Sequence, residues 1–269
     1  MLPAISTISL PAFNHERELD ALPDFGFRGV EVAPSRVWRD TWHGLTAHDV
    51  VCYRRRIEAT GLVIVGLHSL LFDHPELSLF GDTRARVDLA DFFDHLSVVC
   101  RDLGGRTLIW GSGRRRHTIP VKQAFRETVD FFSNLCHRIE NHGTCFCLEP
   151  LGPKDSDFVN SALESLAIVE AVGHPALKIQ LDAKALVENG EATVETFKAV
   201  RAHLIHFHAN EPGLGVLGSS GTIDHAAMGR MLHTIGYDGY VTAEQRVVNA
   251  TEPLTAIAQS AGVLRACYT

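Results

Sequence analysis

Short apolar runs of strand length alternate along this chain with longer segments whose apolar positions recur at helical spacing, and the alternation repeats eight times. The strand-like runs fall at Ala4–Ser9, Gly29–Ala33, Val63–His68, Thr107–Trp110, Thr144–Glu149, Leu177–Asp182, Leu204–His208 and Tyr240–Glu244. The helical segments between and after them cover Ala47–Thr60, Thr83–Leu103, Val121–Asn141, Ser161–Val172, Thr193–Ala202, His225–Ile235 and Thr251–Ala266, with a shorter one near Glu16–Leu22. Gly61, Gly104, Gly143, Gly173 and Gly236 sit where these helices should end, the position at which a left-handed cap residue is favoured. Strands that alternate with helices imply a parallel sheet covered by helices. Eight such units in 269 residues point to an α/β fold, a single-domain (β/α)₈ TIM barrel over residues 1–269. No Gly-rich phosphate loop follows an early strand, which weakens the open doubly wound alternative.

The ends of four of these strands carry side chains able to bind a metal: Glu149 in TCFCLEP, Asp182 in LKIQLD, His208 in LIHFHAN and Glu244 in GYVTAEQ. The intervals of 33, 26 and 36 residues each match one strand-plus-helix unit of roughly 30 residues. Strand C-termini on one face of such a barrel are where catalytic groups gather. Alternation supports a shared direction: if Glu149, Asp182, His208 and Glu244 point inward, so do Cys147, Gln180, His206 and Thr242, while Leu148, Leu181, Phe207 and Val241 face the helices. On the same rule Ile205 is expected on the helix side. Two Glu, one Asp and one His form an oxygen-rich set suited to a hard or borderline divalent cation.

At these residues the chain resembles the xylose-isomerase-like sugar isomerase/epimerase superfamily, and in particular its ketose 3-epimerase branch. The resembling motifs are GVEVAP, LEPLGPKDSDFVNS, LDAKAL, HFHANE followed by SSGTIDHAAM, and GYVTAEQ, and they span essentially the whole barrel. The resemblance implies one divalent cation, Mn²⁺ first with Mg²⁺, Co²⁺ and Zn²⁺ as alternatives, held by Glu149, Asp182, His208 and Glu244. It implies a polyhydroxy-carbonyl substrate deprotonated beside its carbonyl to a metal-stabilised enediolate, with Glu149 and Glu244 as general base and general acid on its two faces. Two features depart from the pattern. The position three after Asp182 holds Ala185 in place of the usual His, and ANEPGLGVLG after His208 lacks the usual substrate-contacting Arg. Lys184 keeps the inward parity if its strand continues, and is expected to occupy part of that vacated space.

Other candidates have competing readings. Glu31 in GVEVAP is either a contact for a substrate hydroxyl or half of a structural ion pair. His68 in GLHSLL enters the pocket or is a satisfied core histidine, and Trp110 in LIWGSG is a flat wall for a sugar ring or a core residue. His206 is read as lumen filling below the metal site. The run Arg114, Arg115, Arg116 is read as a solvated loop, with reach toward an anionic substrate as the rival.

Composition narrows the functional classes. The chain is 45% apolar and 21% charged with a net charge of −7, ordinary for a globular protein and without general attraction to nucleic acid. No stretch approaches 18 apolar residues, so no membrane span is expected. The N-terminus lacks a signal-peptide pattern, and six Cys without framework spacing read as buried free thiols of a cytoplasmic protein. The expected partner is a small-molecule substrate, with room for a homo-oligomer. Rival functions are a dehydratase of the inosose or dehydroshikimate type, which expels a β-hydroxyl after the same proton abstraction, a DNA-repair endonuclease, and a non-catalytic sugar-binding protein. The endonuclease reading lacks two expected His ligands, whose positions hold Trp110 and Ala185.

Overall fold

The computed structural model describes residues 1–249 and 251–269. Eight parallel strands close into a barrel in sequential order: β1 (Leu2–Ser6), β2 (Gly29–Val32), β3 (Val63–Leu67), β4 (Thr107–Trp110), β5 (Cys145–Leu148), β6 (Leu177–Asp182), β7 (Leu204–Asn210) and β8 (Tyr240–Glu244). The ring is completed by parallel pairing of β8 with β1. The covering helices are α1 (Glu16–Ala21), α2 (Pro34–Val37), α3 (Ala47–Glu58), α4 (Thr83–Asp102), α5 (Val121–Arg138), α6 (Ala162–Val172), α7 (Ala183–Glu188), α8 (Val194–Val200), α9 (His225–Thr234) and α10 (Pro253–Tyr268).

Local chemistry sets the ends of these elements. Thr46 and Asp49 form a reciprocal capping box at the start of α3, and Asp82, Ser161 and Asp224 cap α4, α6 and α9 through their side chains. Gly173 ends α6 in the left-handed region at φ 62°, a conformation that costs a residue with a Cβ considerably more. The other four glycines expected at helix ends also have positive φ.

Two boundaries differ from expectation in ways that shape the site. β1 stops at Ser6, whose side chain accepts from the Ile8 N–H and turns Thr7–Ser9 into a 3₁₀ segment. β6 stops at Asp182, because the Asp182 side chain accepts the Ala185 N–H and so starts α7, an element the sequence pattern did not reveal.

The core divides into two layers. Alternate strand residues such as Val30, Leu108, Phe146, Leu181 and Phe207 join the helices in one large apolar cluster. Inside the barrel, Ile109, Cys145 and Cys147 form a separate small cluster with Ile205 packed on it. Ile205 therefore departs from the strict alternation. The β6–β7 register slips between Ile179 and Gln180, pairing Leu204 and His206 with consecutive residues, so Ile205 is the extra residue of a bulge and turns toward the lumen. Of the cysteines, Cys100, Cys136, Cys145 and Cys147 are buried, whereas Cys52 is exposed, contrary to the all-buried expectation.

Candidate metal and catalytic site

Strand register brings the four candidate ligands to one end of the barrel. Asp182 pairs with His208 across β6–β7, and Asn210 pairs with Glu244 across β7–β8. Glu149 follows β5 directly, and its N–H donates to the Trp110 carbonyl at 3.3 Å. The ligand atoms of Glu149, Asp182 and His208 lie within 4.8 Å of one another. Glu244 joins them through His208, whose Nδ1 is 3.5 Å from Glu244 Oε2 and 3.8 Å from Glu149 Oε1. Glu149, His208 and Glu244 line a cavity of about 150 Å³ together with His68 and Ser69.

Three of the candidate ligands are held by further groups. His208 Nε2 donates to Glu31 Oε2 at 2.8 Å, which leaves Nδ1 facing the carboxylates without a hydrogen-bond partner. Glu31 also meets His206 Nε2 at 3.1 Å and is fully buried. Asp182 Oδ1 accepts the Ala185 N–H at 2.7 Å, while Asn210 Nδ2 donates to Asp182 Oδ2 and, at 2.9 Å, to Glu244 Oε2. His68 pairs with Ser6 Oγ through Nε2 and faces Glu244 Oε1 through Nδ1 at 3.4 Å. Gly111 gives Glu149 its space: a Cβ there would collide with Glu149 Oε2.

The electrostatics describe a site short of positive charge. Burial, then Asp182 and Glu244 nearby, push the Glu149 carboxyl up to about 8. Burial and Glu244 push Asp182 up to about 6. Burial would also raise Glu244, but His208 and His68 beside it hold it well below the usual carboxylate range. Burial would lower His208, yet Glu31 and Glu244 raise it well above its ordinary value. For Glu31, burial is outweighed by His206, His208 and His68, and the carboxyl stays low. Raised proton affinities at Glu149, Asp182 and His208 are what crowded carboxylates produce around an imidazole when no cation balances them.

The remaining candidates fall into different places. Glu31 backs His208 from below instead of facing the cavity, so the substrate-hydroxyl reading gives way to a buried ion pair. His68 does border the cavity. Trp110 touches its edge, but the indole packs against Phe132 and Phe93 of the helical layer at 5.0 and 6.2 Å and offers no open wall. β4 ends there, and alternation puts Ile109, not Trp110, on the lumen side. Lys184 lies in α7, not on a continued strand, and its ammonium binds Asp155 at 2.7 Å with Glu188 at 3.6 Å. The basic run is not a free loop either. Arg114 is buried and donates to the carbonyls of Trp110, Glu149, Phe158 and Val159, with burial lowering its guanidinium to about 10. Arg115 and Arg116 bind the backbone of residues 154, 155 and 157.

Asn210, which bridges Asp182 and Glu244, is a residue at the site that sequence reading missed. Its signal was present: it lies two after His208, on the same strand face, inside the HFHANE motif. Glu211 explains the rest of that motif, since it accepts from the Gly218 N–H at 2.6 Å and from Ser220 and meets His225 Nε2 at 3.0 Å, tying the following loop together.

A family model for the xylose isomerase-like TIM barrel matches residues 19–267. The chain belongs to the xylose isomerase-like TIM barrel family. It is similar to a D-psicose 3-epimerase of Ruminiclostridium cellulolyticum, 28% identical over 127 residues, a match spanning 47% of this chain and only 43% of that enzyme. It is also similar to a fructoselysine 3-epimerase of Escherichia coli O157:H7, 22% identical over 86% of this chain and 85% of that one. Among solved structures, a D-psicose 3-epimerase with D-tagatose from Clostridium cellulolyticum H10 superposes with a TM-score of 0.80 over 99% of this chain and 98% of that one, at 17% identity, which shows the shared fold. With epimerases as its relatives, this member of the xylose isomerase-like family is an enzyme.

Proposed function

We propose that the protein epimerises or isomerises a ketose or related polyhydroxy-carbonyl compound by moving a proton at the carbon beside its carbonyl. One divalent cation, Mn²⁺ first, would be held by Glu149, Asp182, His208 Nδ1 and Glu244. The observation that carries this reading is the orphaned His208 Nδ1 facing buried carboxylates, a donor set with oxygen in the majority and one imidazole. When bound, the cation supplies Lewis acidity that stabilises negative charge on the substrate's carbonyl oxygen.

The protein's own groups divide the proton work. Glu149 and Glu244 come from β5 and β8, three strands apart around the ring, and border one cavity from different sides. Without the cation their surroundings push their proton affinities in opposite directions, Glu149 up and Glu244 down. One of the two takes the proton from carbon, and the electron pair delocalises into the adjacent carbonyl. The other, protonated in the substrate complex, delivers a proton to the opposite face. The two carboxyls finish with exchanged protonation and reset through solvent. Relatives bearing the name 3-epimerase support inversion at one carbon. The free cysteines suit a reducing compartment, and we place the enzyme in the cytoplasm.

The reading is tested by incubating the metal-loaded enzyme with ketoses in D₂O. Deuterium at the carbon next to the carbonyl, with no loss of water from the product mass, is expected. Loss of the mass of one water from the substrate would move the assignment to a dehydratase.

A further inference from the structure

A second cavity, of about 310 Å³, meets the metal-site cavity at Ser69 and Glu244, which border both. The two together fall within the size range of small-molecule pockets, about 300–1,000 Å³. Its lining includes two arginines, Arg36 and Arg246, and the apolar Leu214 and Val247.

Both arginines are uncommitted as charges. Arg36 Nη2 donates to the Leu10 carbonyl at 2.7 Å, fixing that end of the side chain, while its buried Nε has no partner among the described residues. Arg246 is exposed, and among the described residues neither arginine enters an ion pair. The carboxylate that borders this cavity, Glu244, is engaged by Asn210, His208 and His68. In a chain of net charge −7, two arginines without carboxylate partners beside the catalytic cavity are unbalanced positive charge able to receive an anion.

Their positions suit a ligand that spans both cavities. Arg246 lies two residues beyond Glu244, and its N–H donates to the Leu214 carbonyl at 2.9 Å, so the end of β8 and the segment after β7 hold it at the rim. Arg36 reaches the same cavity from α2, after β2. A substrate whose carbonyl end sits at the metal cavity would project its far end between them.

We propose that Arg36 and Arg246 form a subsite for an anionic terminal group, a phosphate or a carboxylate, at the end of the substrate remote from the reacting carbon. Guanidinium groups match the planar, forked geometry of such oxyanions. The preferred substrate is then a ketose phosphate or a keto-sugar acid, not a neutral sugar. This rests on the epimerase reading for the reactive end alone.

The test measures calorimetric affinity of the metal-loaded protein for D-fructose, D-fructose 6-phosphate and D-fructuronate. The anionic ligands should bind about tenfold or more tightly than D-fructose, as charge-assisted hydrogen bonds predict. The ratio should fall toward one in Arg246→Gln, whose exposed side chain can be replaced without loss of packing, and in Arg36→Gln. A preference for one anion identifies whether phosphate or carboxylate is the natural group. Equal or undetectable affinity for all three, or a preference that Arg246→Gln leaves intact, overturns the subsite. Deuterium uptake into a ketose panel is followed in parallel. Exchange without anion preference overturns the subsite alone, and anion preference without exchange overturns the proton-transfer reading alone.

Discussion

Glu149 and Glu244 differ by their neighbours and not by their chemistry. For Glu149, burial with Asp182 and Glu244 outweighs His208 and Arg114, whereas Glu244 sits against both His208 and His68. Replacing either with Gln keeps an oxygen for the metal and removes the basic site. Turnover should therefore fall by roughly 10²-fold or more while metal retention changes less. Steady-state rates and metal titration on the same variants check this. One variant should still exchange the substrate proton on one face without completing inversion. Near wild-type rates in both would reduce the pair to ligands. The same charges predict how the cation-free protein responds to pH. Folded-state values for Glu149 and Asp182 lie above the ordinary 4.5 and 3.8, and His208 lies well above 6.5. Groups with raised values stabilise fully below their unfolded values and lose that contribution as pH rises through the folded ones. Stability of the chelated protein should thus decline as pH rises from the ordinary carboxylate values of 3.8 and 4.5 to about 8, the folded-state value of Glu149, and a divalent cation should remove the decline. Denaturant midpoints across that range, with chelator and with Mn²⁺, read this out.

Among the elements, the strands were legible because each is a short apolar run, and inward parity picked out from sequence alone four side chains that the fold gathers at one end of the barrel. Less legible was the path of the chain beyond a strand end. Continuing β6 past Asp182 put Lys184 in the cavity, but Asp182 caps α7 with one oxygen and turns Lys184 toward Asp155. Nothing in residue type alone marks a strand-end Asp as a helix cap as well as a ligand. Trp110 allowed two readings, a wall for a sugar ring or a core residue, and the indole belongs to the layer with Phe132. The Arg114–Arg116 run reads as solvated from its charge, yet Arg114 joins the ends of β4 and β5 to the loop near Phe158 through backbone carbonyls. Arg114→Met should cost about 3 kcal/mol or more by stripping several buried carbonyls of their charged donor, a loss visible in denaturant unfolding. Gly111→Ala should retain the fold but displace Glu149, weakening metal binding without a matching loss of stability. Metal titration beside a denaturant curve on that variant separates the two effects.

At the scale of the molecule, a sequential ring of eight parallel strands puts residues from β5, β6, β7 and β8 within reach of one site, although nearly a hundred positions separate Glu149 from Glu244 in the chain. That closure gathers negative charge that only a cation can balance without protons. Metal and fold are therefore linked, and saturating cation should stabilise the native state, by about 2.7 kcal/mol at a hundredfold excess over its dissociation constant. The most direct measurement is the metal content of chelated and reloaded protein, wild type beside Asp182→Ala, with circular dichroism confirming the barrel in both. About one ion per wild-type chain is predicted and none retained by the variant, since losing one ligand disrupts a set built to share a single cation. Equal metal in the two proteins would contradict a centre held by Glu149, Asp182, His208 and Glu244.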